Sequence, residues 1–420
     1  MFSALRRHAS AERALPPASR SIGKTSASAA WRAAALLAAS YFFYYGSGAA
    51  WFPFFNPYLR EIGLSGVQIG LLGGIRPSIM LLSQPLWGMA ADAWGRRRLL
   101  IVTALAVAVV VPGYRLGQTF AFLALWTVLY TALNNPIGLL LDSVTLDHLE
   151  RNGRPTYGAL RLWGAAGWAL VAVLAGRLLS GRDPRAMFAY AGLLLAALCL
   201  VTWRLPREGE GRRSLRRAWA GVGVLLRRRS LVVFLGVVTA LQLGTVSIFS
   251  FYSIYLGEIG ASRDLIGLAF SIQGLSELPV YLASAWIIRR IGPGRALTIS
   301  FLAYAARALL YSVIRAPGLA VATEVLHGLS FSLFLVSSIG YVNAHTPPEW
   351  RATGQSLLWA FCYGAGSVLG SAWGGWLFDT VGVQALYRVN GLFIVAVAVA
   401  SVFLLWRRSG DGTQTNADER

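Results

Sequence analysis

Apolar runs of membrane-spanning length alternate with short charged segments along almost the whole chain. Leu99 to Val111, Leu231 to Val238 and Phe393 to Leu405 are among the clearest. A helix needs about 20 mostly apolar residues to cross the hydrocarbon core of a bilayer. The pattern predicts twelve such helices, at about 31–56, 66–92, 98–115, 118–146, 157–180, 184–204, 230–257, 263–289, 295–314, 318–345, 350–379 and 383–406. Predicted helices 1, 2, 4, 7, 8, 10 and 11 carry many glycines and polar residues, whereas 3, 6, 9 and 12 are more uniformly apolar. Polar, glycine-rich helices pack on one another or line a cavity, and greasy ones face lipid. The expected fold is an all-α membrane protein of two six-helix bundles.

Composition supports this and adds an orientation. Only 13% of residues are charged, against roughly 25% in a soluble chain. The net charge of +20 does not indicate nucleic acid, because the basic residues sit in alternate loops and not on one face. With the N-terminus inside, 27 of the 38 basic residues fall in cytoplasmic segments, eight lie at external ends and three lie within helices. That asymmetry places both termini in the cytoplasm of a bacterial inner-membrane protein. The chain then divides into a basic cytoplasmic tail (1–30), an N-terminal bundle (31–204), a basic cytoplasmic linker (205–229), a C-terminal bundle (230–406) and a polar cytoplasmic tail (407–420). The first apolar run is too long and too aromatic for a cleaved signal peptide. Cys199 and Cys362 both fall inside apolar runs and suggest neither a disulfide framework nor a metal site.

The two halves repeat one another. Tyr58-Leu59-Arg60-Glu61-Ile62-Gly63 recurs as Tyr255-Leu256-Gly257-Glu258-Ile259-Gly260, an offset of 197, and the register continues to Gly95/Gly292 and Arg98/Arg295. Gly158 to Trp163 recurs as Gly354 to Trp359 at an offset of 196. Two parallel six-helix repeats place a substrate between them near the midplane and point to access by rocking.

The segment Gly88-Met89-Ala90-Ala91-Asp92-Ala93-Trp94-Gly95-Arg96-Arg97-Arg98 resembles the loop 2–3 motif of the major facilitator superfamily. Its counterpart Arg289-Arg290-Ile291-Gly292-Pro293-Gly294-Arg295 keeps the glycine and arginines but lacks the acid. With the helix count and the repeat, the resemblance covers nearly the whole chain. It implies secondary transport. It also implies that Gly88, Asp92, Gly95, Arg96, Arg97 and Arg98 form a conformational latch that never touches the cargo. Asp92, at the end of helix 2, can accept hydrogen bonds from a helix N-terminus and from nearby arginines. A narrower resemblance is to the phenylpropionic-acid permease group, related to lactose and nucleoside permeases. It is carried by Tyr157 to Gly164, Asp142, Glu277, Arg307 and Leu326-His327, and implies proton-coupled uptake of a small organic solute.

Charged residues at membrane depth carry the chemistry. Each costs roughly 2.5–3.5 kcal/mol at a helix centre, so it persists only if paired or functional. Glu277 lies near the middle of helix 8, Arg307 slightly past the middle of helix 9, and Glu324 and His327 share a face in the outer half of helix 10. These four can meet, and a central carboxylate beside an arginine and a histidine suits proton coupling. In the lactose permease relatives a carboxylate, an arginine and a His/acid pair on helices 8 to 10 do this work. Here the order on helix 10 is Glu then His, the reverse of the lactose pattern. A structural ion network without proton traffic is the other reading.

Asp142 and Arg161 both lie about one turn from the cytoplasmic ends of neighbouring helices. The spacing predicts a direct pair, serving as a substrate contact or gate, or as a plain inter-helix salt bridge. Arg76 stands near the middle of helix 2, and its repeat partner is Gln273. An unpaired central arginine can anchor a carboxylate. Asn134, Gln273 and Trp163 complete the expected substrate-contacting set. No phosphate loop, metal cluster or nucleophile triad is present in the sequence, which argues against an enzyme or an ATP-driven pump. The expected function is proton-coupled symport of a small organic anion or polar solute. Efflux by antiport and a non-transporting receptor on the same fold are the alternatives. The expected partners are the cargo, a proton and the lipid bilayer, with no nucleic acid. The chain is expected to act as a monomer with no cofactor beyond the proton gradient.

Overall fold

The computed structural model describes residues 27–152, 155–206 and 218–406. Residues 1–26 of the predicted N-terminal tail (1–30), the predicted tail 407–420 and the linker stretch 207–217 lie outside them, while residues 27–30 are already helical. Nine described stretches are long and apolar enough to cross a membrane. Two of these are double. Arg263–Val313 is broken by a non-helical Gly292, and Ser367–Ser401 by a non-helical Gly382. Ala27–Ala49, rich in serine, tyrosine and glycine, supplies the twelfth crossing.

The twelve helices follow the predicted order. α1 runs over 27–61 as Ala27–Ala49 and Phe52–Glu61. α2 is Gly66–Trp94, and α3 is Arg96–Val110 with a 3-10 extension, Val111–Leu116. α4 is Phe120–Asn152, α5 is Tyr157–Leu179 and α6 is Ala186–Trp203. α7 is Arg229–Glu258, and α8 and α9 occupy 263–291 and 293–313. α10 spans 317–345, and α11 and α12 occupy 351–381 and 383–406.

Three details differ from the expectation, the first being that α1 begins at Ala27 and continues to Glu61 instead of covering 31–56. α4 continues six residues past 146, to Asn152, because nothing in Asp147-His148-Leu149-Glu150 breaks a helix. The linker also holds a helix, Ala218–Leu226. Its apolar run of Ala, Trp, Val and Leu is bounded by arginines on both sides.

The repeat is visible in the backbone. Ser65 caps α2 and its partner Ser262 caps α8, each side chain accepting from the backbone three residues on. Among the described residues every positive φ belongs to a glycine: Gly63 and Gly260, and Gly95 and Gly292, match at the repeat offset, while Gly181 and Gly382 both sit between the last two helices of their halves. Gly95 has φ 90° and ψ 134°, where a Cβ would be strained. It therefore turns the chain from α2 into α3 without a loop, as Gly292 does from α8 into α9.

The bundles meet unevenly. Call the end with the linker the linker side and the opposite end the far side. The hydrogen bonds and ion pairs seen between described residues of the two halves lie from about mid-membrane to the far side. The Gly66 and Val67 N–H groups, at the start of α2, donate to the Asp379 carboxylate at the end of α11, at 2.6 and 2.8 Å. Arg263, at the start of α8, donates to the carbonyls of Leu179 and Arg182 at 2.9 and 2.7 Å and pairs with Glu61 at 3.1 Å. Asn56 donates to the Ser250 carbonyl at 2.6 Å, and Trp168 to the Phe270 carbonyl at 3.2 Å.

Backbone contact seals the same level. A Cβ on Gly70 would lie 2.3 Å from the Ser371 carbonyl oxygen, and one on Gly267 would lie 2.3 Å from that of Ala172. On the linker side, Leu82, Leu86 and Met89 of α2 and Leu282 and Trp286 of α8 are exposed. The structure is closed on the far side and splayed on the linker side.

Candidate functional site

Three helices of the C-terminal bundle build a continuous polar chain. α8 contributes Gln273 and Glu277, α9 contributes Arg307 and Tyr311, and α10 contributes Glu324, His327 and Ser330. Glu277 Oε1 lies 3.3 Å from His327 Nε2. His327 Nδ1 lies 3.0 Å from Arg307 Nη1 and 3.2 Å from Gln273 Nε2. Arg307 also donates to Ser330 Oγ at 3.0 Å and pairs with Glu324 at 2.7 Å. The Tyr311 hydroxyl donates to the other oxygen of Glu324. All four residues expected in this cluster are joined.

The geometry assigns states within the chain. A guanidinium has donors only, so Nδ1 of His327, facing Arg307, must be the acceptor. The ring proton then sits on Nε2, the nitrogen that lies 3.3 Å from Glu277 Oε1. The Arg307 and Glu324 side chains are 5% and 0% exposed, while Glu277 is 23% exposed. Breaking a buried pair costs about 3–5 kcal/mol. The Arg307–Glu324 pair is therefore the fixed part of the chain, and Glu277 is its open end.

Local irregularity in α10 makes this possible. Thr323–Val325 is a 3-10 turn and Gly328–Ser332 is a π turn, flanking His327. Such turns shift the side-chain register and recur at functional sites. Their sequence signal is weak: small residues at 328, 330 and 332. Tyr311 also escaped sequence reasoning, since a tyrosine among many aromatic residues does not stand out.

The N-terminal bundle holds a second polar group. Tyr41, fully buried on α1, donates to Asp142 Oδ1 at 2.7 Å. The Arg161 guanidinium lies 4.3 Å from the Tyr45 ring centre and 5.5 Å from that of Tyr41. Among the described residues no ion pair joins Asp142 to Arg161. The expected direct pair is replaced by an aromatic bridge, because Tyr41 stands between the two charges with its hydroxyl on one and its ring under the other. Gly164 leaves room for this packing, since a Cβ there would lie 2.7 Å from the Tyr45 ring. Arg161 is also within electrostatic reach of Glu277 in the other bundle.

Arg76 sits in an aromatic cage. Its guanidinium is 4.8 Å from the Phe52 ring centre, 5.9 Å from Tyr130 and 6.0 Å from Trp51. It is half-buried, and no described side chain forms an ion pair with it. Cation–π contacts give about 0.5–2 kcal/mol each, which holds the cation at membrane depth without neutralising it. Tyr44 lies within electrostatic reach of both Arg76 and Arg161, so the two N-terminal cations share one region.

The remaining expected contacts separate. Asn134 is half-buried one turn from Tyr130, on the same face of α4. Gln273 is 5% exposed, and its amide is engaged by His327, so it belongs to the C-terminal chain and does not mirror the aromatic setting of Arg76. Trp163 is 52% exposed, and its position two residues from Arg161 puts it on the opposite side of α5.

The loop motif lies at the linker side. Gly88 is half-buried, and Arg98 is exposed. Arg96 pairs with Asp147 of α4 at 2.6 Å, and Arg97 donates to the Trp203 carbonyl at 2.5 Å. Both bonds stay within the N-terminal bundle. The Asp92 side chain lies outside the described residues. Among the described residues no group of three or more His, Cys, Asp or Glu is placed to hold a metal.

The chain is 32% identical to the maltose permease of Geobacillus stearothermophilus over 364 residues, 86% of this chain and 91% of that one. It is 24% identical to the probable 3-phenylpropionic acid transporter of Escherichia coli (strain K12), covering 83% of this chain and 93% of that one. The crystal structure of the nucleoside transporter NupG superposes with a TM-score of 0.78 at 18% identity, over 89% of this chain and 98% of that one. Residues 35–389 match the MFS_1 like family. That match spans most of the twelve-helix repeat, and the chain belongs to the MFS_1 like family of major facilitator transporters.

Proposed function

We propose that this transporter is a proton-coupled symporter that moves a small organic anion or polar solute by alternating access, with Glu277 as the proton carrier. The observation that carries the reading is the position of Glu277. It closes one end of the buried chain through His327 at 3.3 Å and keeps 23% of its side chain exposed. Arg307 and Glu324 neutralise each other out of reach of water, and His327 is held as a donor by Arg307. Glu277 is thus the member of the chain free to exchange a proton with the cavity.

The basic linker marks the cytoplasmic face by the positive-inside rule. The bundles splay on that face, so Glu277 and the two N-terminal cations look toward the cytoplasm, and both termini lie there in a bacterial inner membrane. The cargo binds between the bundles. Arg76 anchors an anionic group, with the aromatic rings around it packing the apolar body of the solute. Arg161 and Asp142 face the same cavity from nearer the cytoplasm. The loop motif around Asp92 and Gly95 latches the opposite state, when the cytoplasmic side closes. Every part of this site comes from one chain, so a monomer suffices, and the proton gradient is the only energy source required.

A second reading concerns the cargo alone. The 32% identity to a maltose permease favours a sugar, and aromatic rings stack on sugar faces as well as on arginine. A thermal-shift screen of the purified protein at two pH values, over aromatic acids, nucleosides and sugars, separates these classes. The stabilising solute is then offered to proteoliposomes under an inward proton gradient. The expected result is accumulation that a protonophore abolishes. Accumulation indifferent to the protonophore would contradict proton coupling.

A further inference from the structure

We propose that Gly328 and Ser276 are positioning residues for proton coupling: they interlock α10 with α8 and thereby set the contact between His327 and Glu277. This rests on the reading of Glu277 as the proton carrier, and it assigns a role to two residues that are not themselves ionisable.

The two helices touch at backbone level here. A Cβ built on Gly328 would lie 1.9 Å from the Ser276 carbonyl oxygen and 3.2 Å from the Glu277 nitrogen. Among the described glycines no other Cβ would meet a neighbour so closely. The Gly328 N–H, at the start of the π turn, donates to Ser276 Oγ at 3.0 Å. Ser276 Oγ in turn donates to the Gln273 carbonyl at 2.8 Å. Both roles of the hydroxyl are filled, so it cannot rotate away without losing a bond at each side.

The consequence falls on the neighbours. His327 precedes Gly328, and Glu277 follows Ser276. The interlock therefore joins the residue next to the imidazole to the residue next to the carboxylate. A methyl group at 328 forces the helices apart by on the order of 1 Å before ordinary van der Waals contact is restored, because packed interiors have no slack to absorb it. The His327 Nε2–Glu277 Oε1 distance is already 3.3 Å. Adding that displacement opens the contact and weakens the electrostatic coupling between the imidazole and the carboxylate, which falls with distance. Arg307 and Glu324 pair between α9 and α10, away from the crossing, and keep their bond.

Infrared difference spectroscopy of the full chain in lipid nanodiscs, titrated over pH without cargo, reads the carboxyl band of Glu277; its absence in Glu277→Gln assigns it. The inference predicts that Gly328→Ala and Ser276→Ala each move the midpoint of that band by about one pH unit or more. Ser276→Thr, which keeps the hydroxyl, stays at the wild-type midpoint. Wild-type midpoints in both Gly328→Ala and Ser276→Ala would overturn the inference while leaving the proposed function intact. Equal shifts in Ser276→Ala and Ser276→Thr would also overturn it, and this pair decides the matter if Gly328→Ala does not fold. A wild-type protein with no titrating Glu277 band would overturn the proposed function and the inference together.

Discussion

His327 Nε2 lies 3.3 Å from Glu277 Oε1, and the opposite ring nitrogen faces Arg307 at 3.0 Å. Those two distances order the site. Arg307 fixes which nitrogen of His327 carries the proton, and that nitrogen is the one beside Glu277. The histidine then presents a fixed N–H side to the carboxylate, and under the proposed function the carboxylate is the group that changes state.

The buried pair is expected to be structural first. Glu324→Ala leaves Arg307 as an uncompensated charge, with an expected loss of about 3–5 kcal/mol of stability. Thermal unfolding in detergent should show a large drop for Glu324→Ala and for Arg307→Ala. Replacing both together by apolar residues of similar volume should recover most of the loss. Double-variant unfolding no higher than that of the single variants would show that the pair is not the stabilising unit.

Arg76 should discriminate by charge. Its guanidinium has aromatic rings around it and no carboxylate among the described residues. Arg76→Gln is expected to weaken binding of anionic cargo at least tenfold, which is about 1.4 kcal/mol, and to change binding of neutral analogues much less. Calorimetric titration with a carboxylate and its amide measures both. Equal losses would remove the anchoring role and favour a sugar cargo.

The far-side seal should respond to one carboxylate. Asp379 accepts two N–H groups at the start of α2, where a side-chain cap gives on the order of 1 kcal/mol and an anion gains from the helix dipole. Asp379→Asn is expected to raise the population open on the far side roughly fivefold. Spin labels on the far ends of α2 and α11 would report this as growth of a long-distance component. An unchanged distance distribution would place the seal in the glycine contacts alone.

Much of this was legible in the sequence, for identifiable reasons. Helix positions follow from run length, and the break at Gly292 follows from its match to Gly95 in the repeat. Glu277, Arg307, Glu324 and His327 stand out because ionisable residues are rare in apolar runs, and depth along each helix was enough to place them together. What was hidden depends on side-chain direction or on local backbone register. Tyr41 between Asp142 and Arg161 is one aromatic residue among several on α1 and has no periodic signature. The π turn at Gly328 shifts the register by a residue, which hydrophobic spacing cannot show. Asp379 reads as an ordinary acid at a helix end until α2 is seen to begin beside it.

The central claim is that Glu277 carries the coupled proton. Simultaneous recording of cargo and proton entry in vesicles, for the wild type and for Glu277→Gln, tests it most directly. The account predicts that protons enter with cargo in the wild type, and that Glu277→Gln still exchanges cargo for cargo across the membrane but drives no proton entry and no uphill accumulation at any pH. A Glu277→Gln protein that continues to take up protons with its cargo would contradict it.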